Sequence, residues 1–208
     1  MKLFLASGNA HKAEEFSAFA KASAAAEAVP IEIISAIAVG GMPAVVEDTG
    51  TFAGNARKKA LALRTRLPAD AWALADDSGL CVDALGDAPG VESAYYAGPH
   101  SDSAANLKKL TETMRGVPDP QRGAHFICVL MLAGPAGEFV FEGRCDGRLL
   151  SEPRGGSGFG YDPLFVPEGY GQSFSELGAE IKNRLSHRVR AWEKLSEWLR
   201  RSLTVNER

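Results

Sequence analysis

Two adjacent carboxylates, a hydroxyl and a glycine, Asp76-Asp77-Ser78-Gly79, stop an apolar run that starts at Trp72. Acids held by a strand can take a proton from water or hold a hard cation, and in parallel α/β sheets ligands bind just outside the carboxyl ends of strands. Read so, the stretch delivers acids to a rim and is the catalytic centre. The same residue types build solvated turns, and taken alone the stretch fits both readings. Other clusters share its chemistry. Ser7-Gly8-Asn9-Ala10-His11-Lys12 sets backbone N–H groups, a glycine and a lysine at a helix start, which attracts phosphate, although it is not a Walker A sequence. The plainer meaning is Asn9 as a helix cap and Lys12 in solvent. Glu47, in a turn that leads into a basic helix, has the oxygen chemistry of a second ligand for magnesium or of a simple loop acid. In the glycine-dense segment 155–165, Phe159 can stack on a base, worth about 1–3 kcal/mol, while Asp162 reads polar edges; a loop folded back on the core is the alternative. Lys182, His187 and Arg188 add three potential cations beside Ser186, a potential helix cap.

These residues need rigid elements to carry them. Lys2–Ala6 reads as a buried strand and Ala13–Ala26 as a helix with Phe16, Phe19 and Ala20 on one face. Pro30–Val39 alternates as a strand, and the helix after Glu47 runs to about Leu67. Ser103–Met114 is a helix capped by Asp102 or Ser103, with Leu107, Leu110 and Met114 inward; 116–123 is a polar loop without chemistry. Ala124–Ala133 reads as a strand buried on both faces that turns into Glu138–Gly143, with His125 as a structural histidine. Ala179–Leu203 carries Leu185, Val189, Trp192, Leu195, Leu199 and Leu203 at helical spacing, mostly one amphipathic helix.

Composition bounds the function. The 208 residues, 45% hydrophobic and 24% charged, suffice for one sizeable core, in one lobe or two. A net charge of −3 argues against a broad nucleic-acid surface and for a small anionic ligand held by a few placed cations. No apolar run has membrane-spanning length, so the expected location is the cytoplasm. Cys81, Cys128 and Cys145 are widely spaced without a C-x-x-C pair and read as reduced structural thiols.

Six blocks in order, S-G-N-A-H-K at 7–12, E-D-T-G-T-F-x-x-N-A-x-x-K-A at 47–60, A-D-D-S-G-L at 75–80, G-x-A-P-G-V at 86–91, G-F-G-Y-D-P at 158–163 and K-N-R-x-S-H-R at 182–188, span nearly the whole chain. Together they resemble the inosine/xanthosine triphosphate pyrophosphatase family. The resemblance implies a single domain, 1–208, with an elongated two-lobed α/β fold. In it a long mixed central sheet is flanked by helices, and the site lies in the cleft between the lobes. It also implies a homodimer and magnesium-dependent hydrolysis of inosine, deoxyinosine and xanthosine triphosphates to monophosphate and pyrophosphate. Carried over by motif, Ser7, Gly8, Asn9, Ala10, His11, Lys12 and Lys59 hold the triphosphate, and Glu47 with Asp77 positions the metal. Ser78, Phe159, Gly160, Tyr161, Asp162, Lys182, His187 and Arg188 line the nucleotide site.

In that chemistry Asp77 is the base, a metal ligand, or both, and beside a lysine cluster and a metal its pKa is expected to be lowered. Asp76, a strand neighbour, faces the other way as a supporting group or a second metal ligand. A donor from Arg188 or His187 rewards a 6-keto purine and penalises adenine. The chain departs from the family pattern at Tyr95, where arginine is expected, at Cys81 and Ile181, where acids are frequent, and at Asp87, which replaces a common glycine. Two rival readings are a pyrophosphatase for modified pyrimidine nucleotides, against which the Ser-His-Arg block argues, and a non-catalytic nucleotide-binding module.

Overall fold

The computed structural model describes residues 1–27 and 30–205. Strand β1 (Lys2–Leu5), helix α1 (Ala10–Glu27) and strand β2 (Glu32–Ser35) form a crossover unit, with β1 and β2 parallel and Leu3 opposite Ile33. Helix α2 (Phe52–Arg64) returns the chain to the other side of β1, where β3 (Trp72–Val82) pairs in parallel with Leu5 opposite Leu74. After helix α3 (Ser103–Thr113) come β4 (Gly123–Gly134) and β5 (Gly137–Leu149), joined by a two-residue turn that only an antiparallel pair can use. Strand β6 (Phe165–Pro167) lies antiparallel to β5, and α4 (Phe174–Leu185) and α5 (His187–Val205) end the chain. The sheet order is β2-β1-β3-β4-β5-β6, so the expected α/β class with a mixed sheet is what the chain adopts.

Four local expectations need correction. Strand β3 does not stop at the acids; apolar Leu80 and Val82 continue its buried pattern, so Asp76 and Asp77 sit mid-strand. The rim is made instead by β1, whose pairing ends at Leu5 opposite Leu74, two residues before the acids. The strand expected over 30–39 ends at Ser35, whose hydroxyl accepts from Ile37 N and starts a 3-10 turn over Ala36–Val39. The helical stretch expected over 179–203 is divided between two helices, because Ser186 is extended between α4 and α5; Gly178 (φ 78°), just before that stretch, kinks α4. The side chain of Leu203 lies outside the described residues.

The fourth concerns the loop 116–123, which hides a buried cation. Arg122 is 3% exposed and donates to the carbonyls of Leu149, Met114, Val117 and Leu150, tying the end of α3 to the end of β5. Composition predicts a polar loop because it does not reveal which arginine has carbonyls around it. Arg122→Met, which keeps the bulk and removes the donors, is expected to lower stability by about 3 kcal/mol in urea unfolding, since it strands several buried acceptors.

Two compact units result. The first comprises Met1–Asp77, Cys128–Glu142 and Val189–Arg208. One face of its strands packs Leu3, Leu5, Leu74 and Leu130 against Phe16, Phe19, Trp192 and Leu195 of α1 and α5. The other packs Ala73, Ala75, Val129 and Met131 against Ala56, Ala60 and Leu63 of α2, small residues that let that helix approach closely. The second unit, Ser78–Ile127 and Gly143–Arg188, is centred on Leu80, Val82, Leu110, Met114, Phe126, Phe165 and Phe174. No helix among the described residues is long and apolar enough to cross a membrane.

Candidate active site

The alternation of β3 sorts the two acids. Leu74 packs with α1 and α5 and Ala75 with α2, so Asp76 falls on the first side and Asp77 on the second. Lys12 of α1 ion-pairs with Asp76, which is 1% exposed and also accepts from Cys128 Sγ at 3.1 Å. Lys59 of α2 donates to Asp77 Oδ1 at 2.6 Å and to Glu47 Oε2 at 2.8 Å. Each acid of the pair thus has its own lysine from its own helix.

The Glu47 carboxylate comes from a loop that α2 holds in place. Asn55, fully buried on α2, accepts from both the backbone N–H and the hydroxyl of Thr49, while the Thr51 hydroxyl caps the helix by accepting from Gly54 N. Asn55 was given no role in the sequence analysis, although it is part of the E-D-T-G-T-F-x-x-N block. Cys128 was also missed; as one apolar-looking residue in a buried strand it carries no local signal of its contact with Asp76.

The electrostatics differ from expectation. Burial pushes the Asp77 carboxyl up to about 6, against the pull of Lys59 and Lys12, and its contact with Glu47 adds to the rise. Burial also opposes charge on Glu47, but there Lys59 and Lys12 prevail and hold the group below the usual carboxylate range. Without a metal the lysines alone do not lower Asp77: its side chain is only 9% exposed against 29% for Glu47, and the desolvation of the deeper acid outweighs them. Two acids split in this way suit proton transfer near neutral pH. Asp77 Oδ2 is buried with no hydrogen-bond partner among the described residues, an oxygen with lone pairs to give.

At the start of α1, Ser7 Oγ accepts from Asn9 N and Asn9 Oδ1 from Lys12 N, so Asn9 does cap the helix. Capping and phosphate binding coexist here. A Cβ on Gly8 would meet nothing within 4 Å and its φ is ordinary, so neither packing nor conformation demands glycine; a ligand approaching the backbone would. Ala10 lies beside it in the exposed first turn, and His11, largely exposed, sits 3.9 Å from Glu14.

A second group of candidate residues lies in the second unit. Arg188, 5% exposed, donates to Ser78 Oγ at 2.7 Å, and its guanidinium lies 5.4 Å from the Phe159 ring centre. Lys182 Nζ lies 4.2 Å from the same ring and donates at 2.8 Å to Asp162 Oδ2, which also accepts from Phe159 N. Gly158 makes this turn possible: its φ is 81°, and a Cβ there would come within 2.4 Å of Asp162 Oδ2. Gly160, with φ 62°, continues the turn. Two cations beside one aromatic ring, Lys182 anchored by the buried Asp162 and Arg188 by Ser78, form a polar reading surface beside an apolar plane. His187 stacks on Phe126 at 4.8 Å and 12°, and Tyr161 turns into the core with its hydroxyl donating to Ser93 O. Their side chains are thus held by the protein interior.

The Ham1 family model matches residues 3–198. The chain belongs to the Ham1 family. A relative from Opitutus terrae named dITP/XTP pyrophosphatase is 66% identical over 97% of this chain and all of its own length. One of the same name from Desulforamulus reducens is 45% identical over 97% of this chain and 96% of its own. Among solved structures, the Ham1 protein of Staphylococcus aureus superposes with a TM-score of 0.81 at 32% identity, covering 96% of this chain and 98% of that one. A nucleoside-triphosphatase, dITP/XTP pyrophosphatase, from Mycobacterium abscessus does so with a TM-score of 0.73 at 39% identity, covering 94% and 97%.

Proposed function

We propose that this Ham1-family chain hydrolyses deaminated purine nucleoside triphosphates, those of inosine, deoxyinosine and xanthosine, to the monophosphate and pyrophosphate, and so clears them from the nucleotide pool. The observation that carries the reading is Asp77: a buried carboxylate, joined to Glu47 through the phosphate-suited Lys59, with one oxygen that has no hydrogen-bond partner among the described residues. The curated relatives' names support the substrate class.

The triphosphate is held at the start of α1 beside Gly8 and Ala10, whose N–H groups are not those engaged by the Ser7 and Asn9 caps, with Lys12 and Lys59 meeting the charge that develops on the departing pyrophosphate. Asp77 takes the proton of the attacking water. Glu47 and Asp77 are the oxygen donors that suit magnesium, which when bound acidifies water and neutralises phosphate charge. Arg188, fixed by Ser78, presents donors to the 6-keto oxygen of the base; adenine, with a donor at that position, would leave a buried cation unsatisfied. Phe159 supplies the plane on which the base stacks. The reading includes a homodimer and a cytoplasmic setting; the three buried free thiols suit a reducing compartment.

Product analysis tests it. With magnesium and inosine triphosphate, inosine monophosphate and pyrophosphate are expected, with adenosine triphosphate slow. Release of single phosphate would place the attack at the γ-phosphate, and no turnover of any purine would refute the reading.

A further inference from the structure

Two of the departures from the family pattern, Cys81 and Asp87, lie together in space, and His125 joins them. Their ligand atoms, a sulfur, a carboxylate oxygen and an imidazole nitrogen, fall within 4.8 Å of one another. Cys81 is on β3, Asp87 on the turn that follows it and His125 on β4, all within the second unit. We propose that Cys81, Asp87 and His125 form a binding site for one zinc-class divalent cation, built from residues other than the catalytic acids.

The donor set selects the class of ion. Thiolate plus imidazole suits zinc and its soft-to-borderline neighbours, whereas magnesium and calcium take oxygen ligands. Three protein ligands leave a fourth, tetrahedral position for water. Ligand atoms around zinc stand roughly 3.5 Å apart, as bonds of about 2.0–2.3 Å require. The 4.8 Å spread must therefore contract by about 1 Å, and Asp87 is exposed, so its carboxylate can swing inward. Its backbone is already placed: Asp87 N donates to Val82 O, and Cys81 bridges Pro89 across the turn.

His125 points independently to a ligand. It is 8% exposed, and its Nδ1 is buried with no hydrogen-bond partner among the described residues, a cost that a structural histidine ordinarily avoids. The surroundings hold Arg144 together with Asp83 and Asp146, and Arg144 is engaged by Asp146 at 2.8 Å. The cation therefore meets acids as well as one neutralised guanidinium. A reactive thiol is a poorer account of Cys81. Burial and the neighbouring Asp87 push it up to about 11, so little thiolate exists without a cation to displace the proton. Bound metal would clasp β3, its turn and β4 together.

Full-length, chelator-treated protein in excess magnesium, which satisfies the oxygen site, is titrated with cobalt(II) and then zinc. We expect about one cobalt per chain with a thiolate-to-metal charge-transfer band, displaced by zinc, and a rise in thermal stability with zinc. Cys81→Ser should abolish the band. Asp87→Asn, an exposed change at a left-handed position that asparagine tolerates, should leave folding intact and weaken zinc binding at least tenfold. Absence of a thiolate band, its survival in Cys81→Ser, or equal zinc affinity of Asp87→Asn and wild type would overturn the site. Magnesium-dependent hydrolysis of inosine triphosphate should be unchanged in Asp87→Asn; its absence from the wild type would strike the proposed function and leave the zinc result standing.

Discussion

Asp77→Asn is expected to lower kcat for inosine triphosphate by about 10³ while nucleotide affinity changes little. A positioned general base contributes roughly 10²–10⁴, and this substitution removes a metal oxygen as well. Asparagine keeps the shape and can still accept from Lys59, so the fold has no cause to rearrange. The groups assigned to phosphate and base, Lys12, Lys59, Ser78 and Arg188, are untouched. Steady-state kinetics together with calorimetric binding of a non-hydrolysable triphosphate separate the two effects, and turnover equal to wild type would remove Asp77 from the mechanism. The raised pKa supplies a second signature in metal-free protein. An acid whose folded pKa of about 6 exceeds its unfolded value near 3.8 resists ionisation in the fold. Wild type should therefore lose stability relative to Asp77→Asn as pH rises from about 4 through 6, and the gap should level off above that.

Lys12→Met is expected to cost about 3–5 kcal/mol of stability, more than its place in an exposed-looking loop motif suggests. The ammonium is the cation that offsets Asp76, whose side chain is entirely inaccessible to solvent. Breaking a buried ion pair from one side leaves a charge with no adequate compensation, and the penalty is of that size. If this is the cause, Asp76→Asn should restore much of the loss in the double variant, because the charge that suffers is removed. Urea unfolding of the two single variants and the double variant closes the cycle. Additive losses would show that Lys12 acts independently of Asp76. Phosphate binding should fall in both Lys12 variants, so stability and affinity report different functions of one side chain.

Much was legible in the sequence where local pattern is enough. Alternation placed Asp76 and Asp77 on opposite faces, Asn9 and Asp102 were readable as helix caps, and the apolar run at 124–133 gave β4. Six ordered motifs carried the family and the candidate residues, because residues held by one strand, one turn or one helix start lie in short contiguous blocks. What only the tertiary structure decided is which groups face one another and how dry they are. Lys12 goes to Asp76 and Lys59 to Asp77 because α1 and α2 lie on opposite faces of β3. The direction of the Asp77 shift followed from burial that no neighbouring residue encodes. Arg122 looked like a loop residue until carbonyls from the ends of α3 and β5 surrounded it. The approach of Cys81, Asp87 and His125 depends likewise on a turn folding back beside two strands. Desolvation and through-space charge sum over neighbours remote in the chain, and a one-dimensional pattern does not contain that sum.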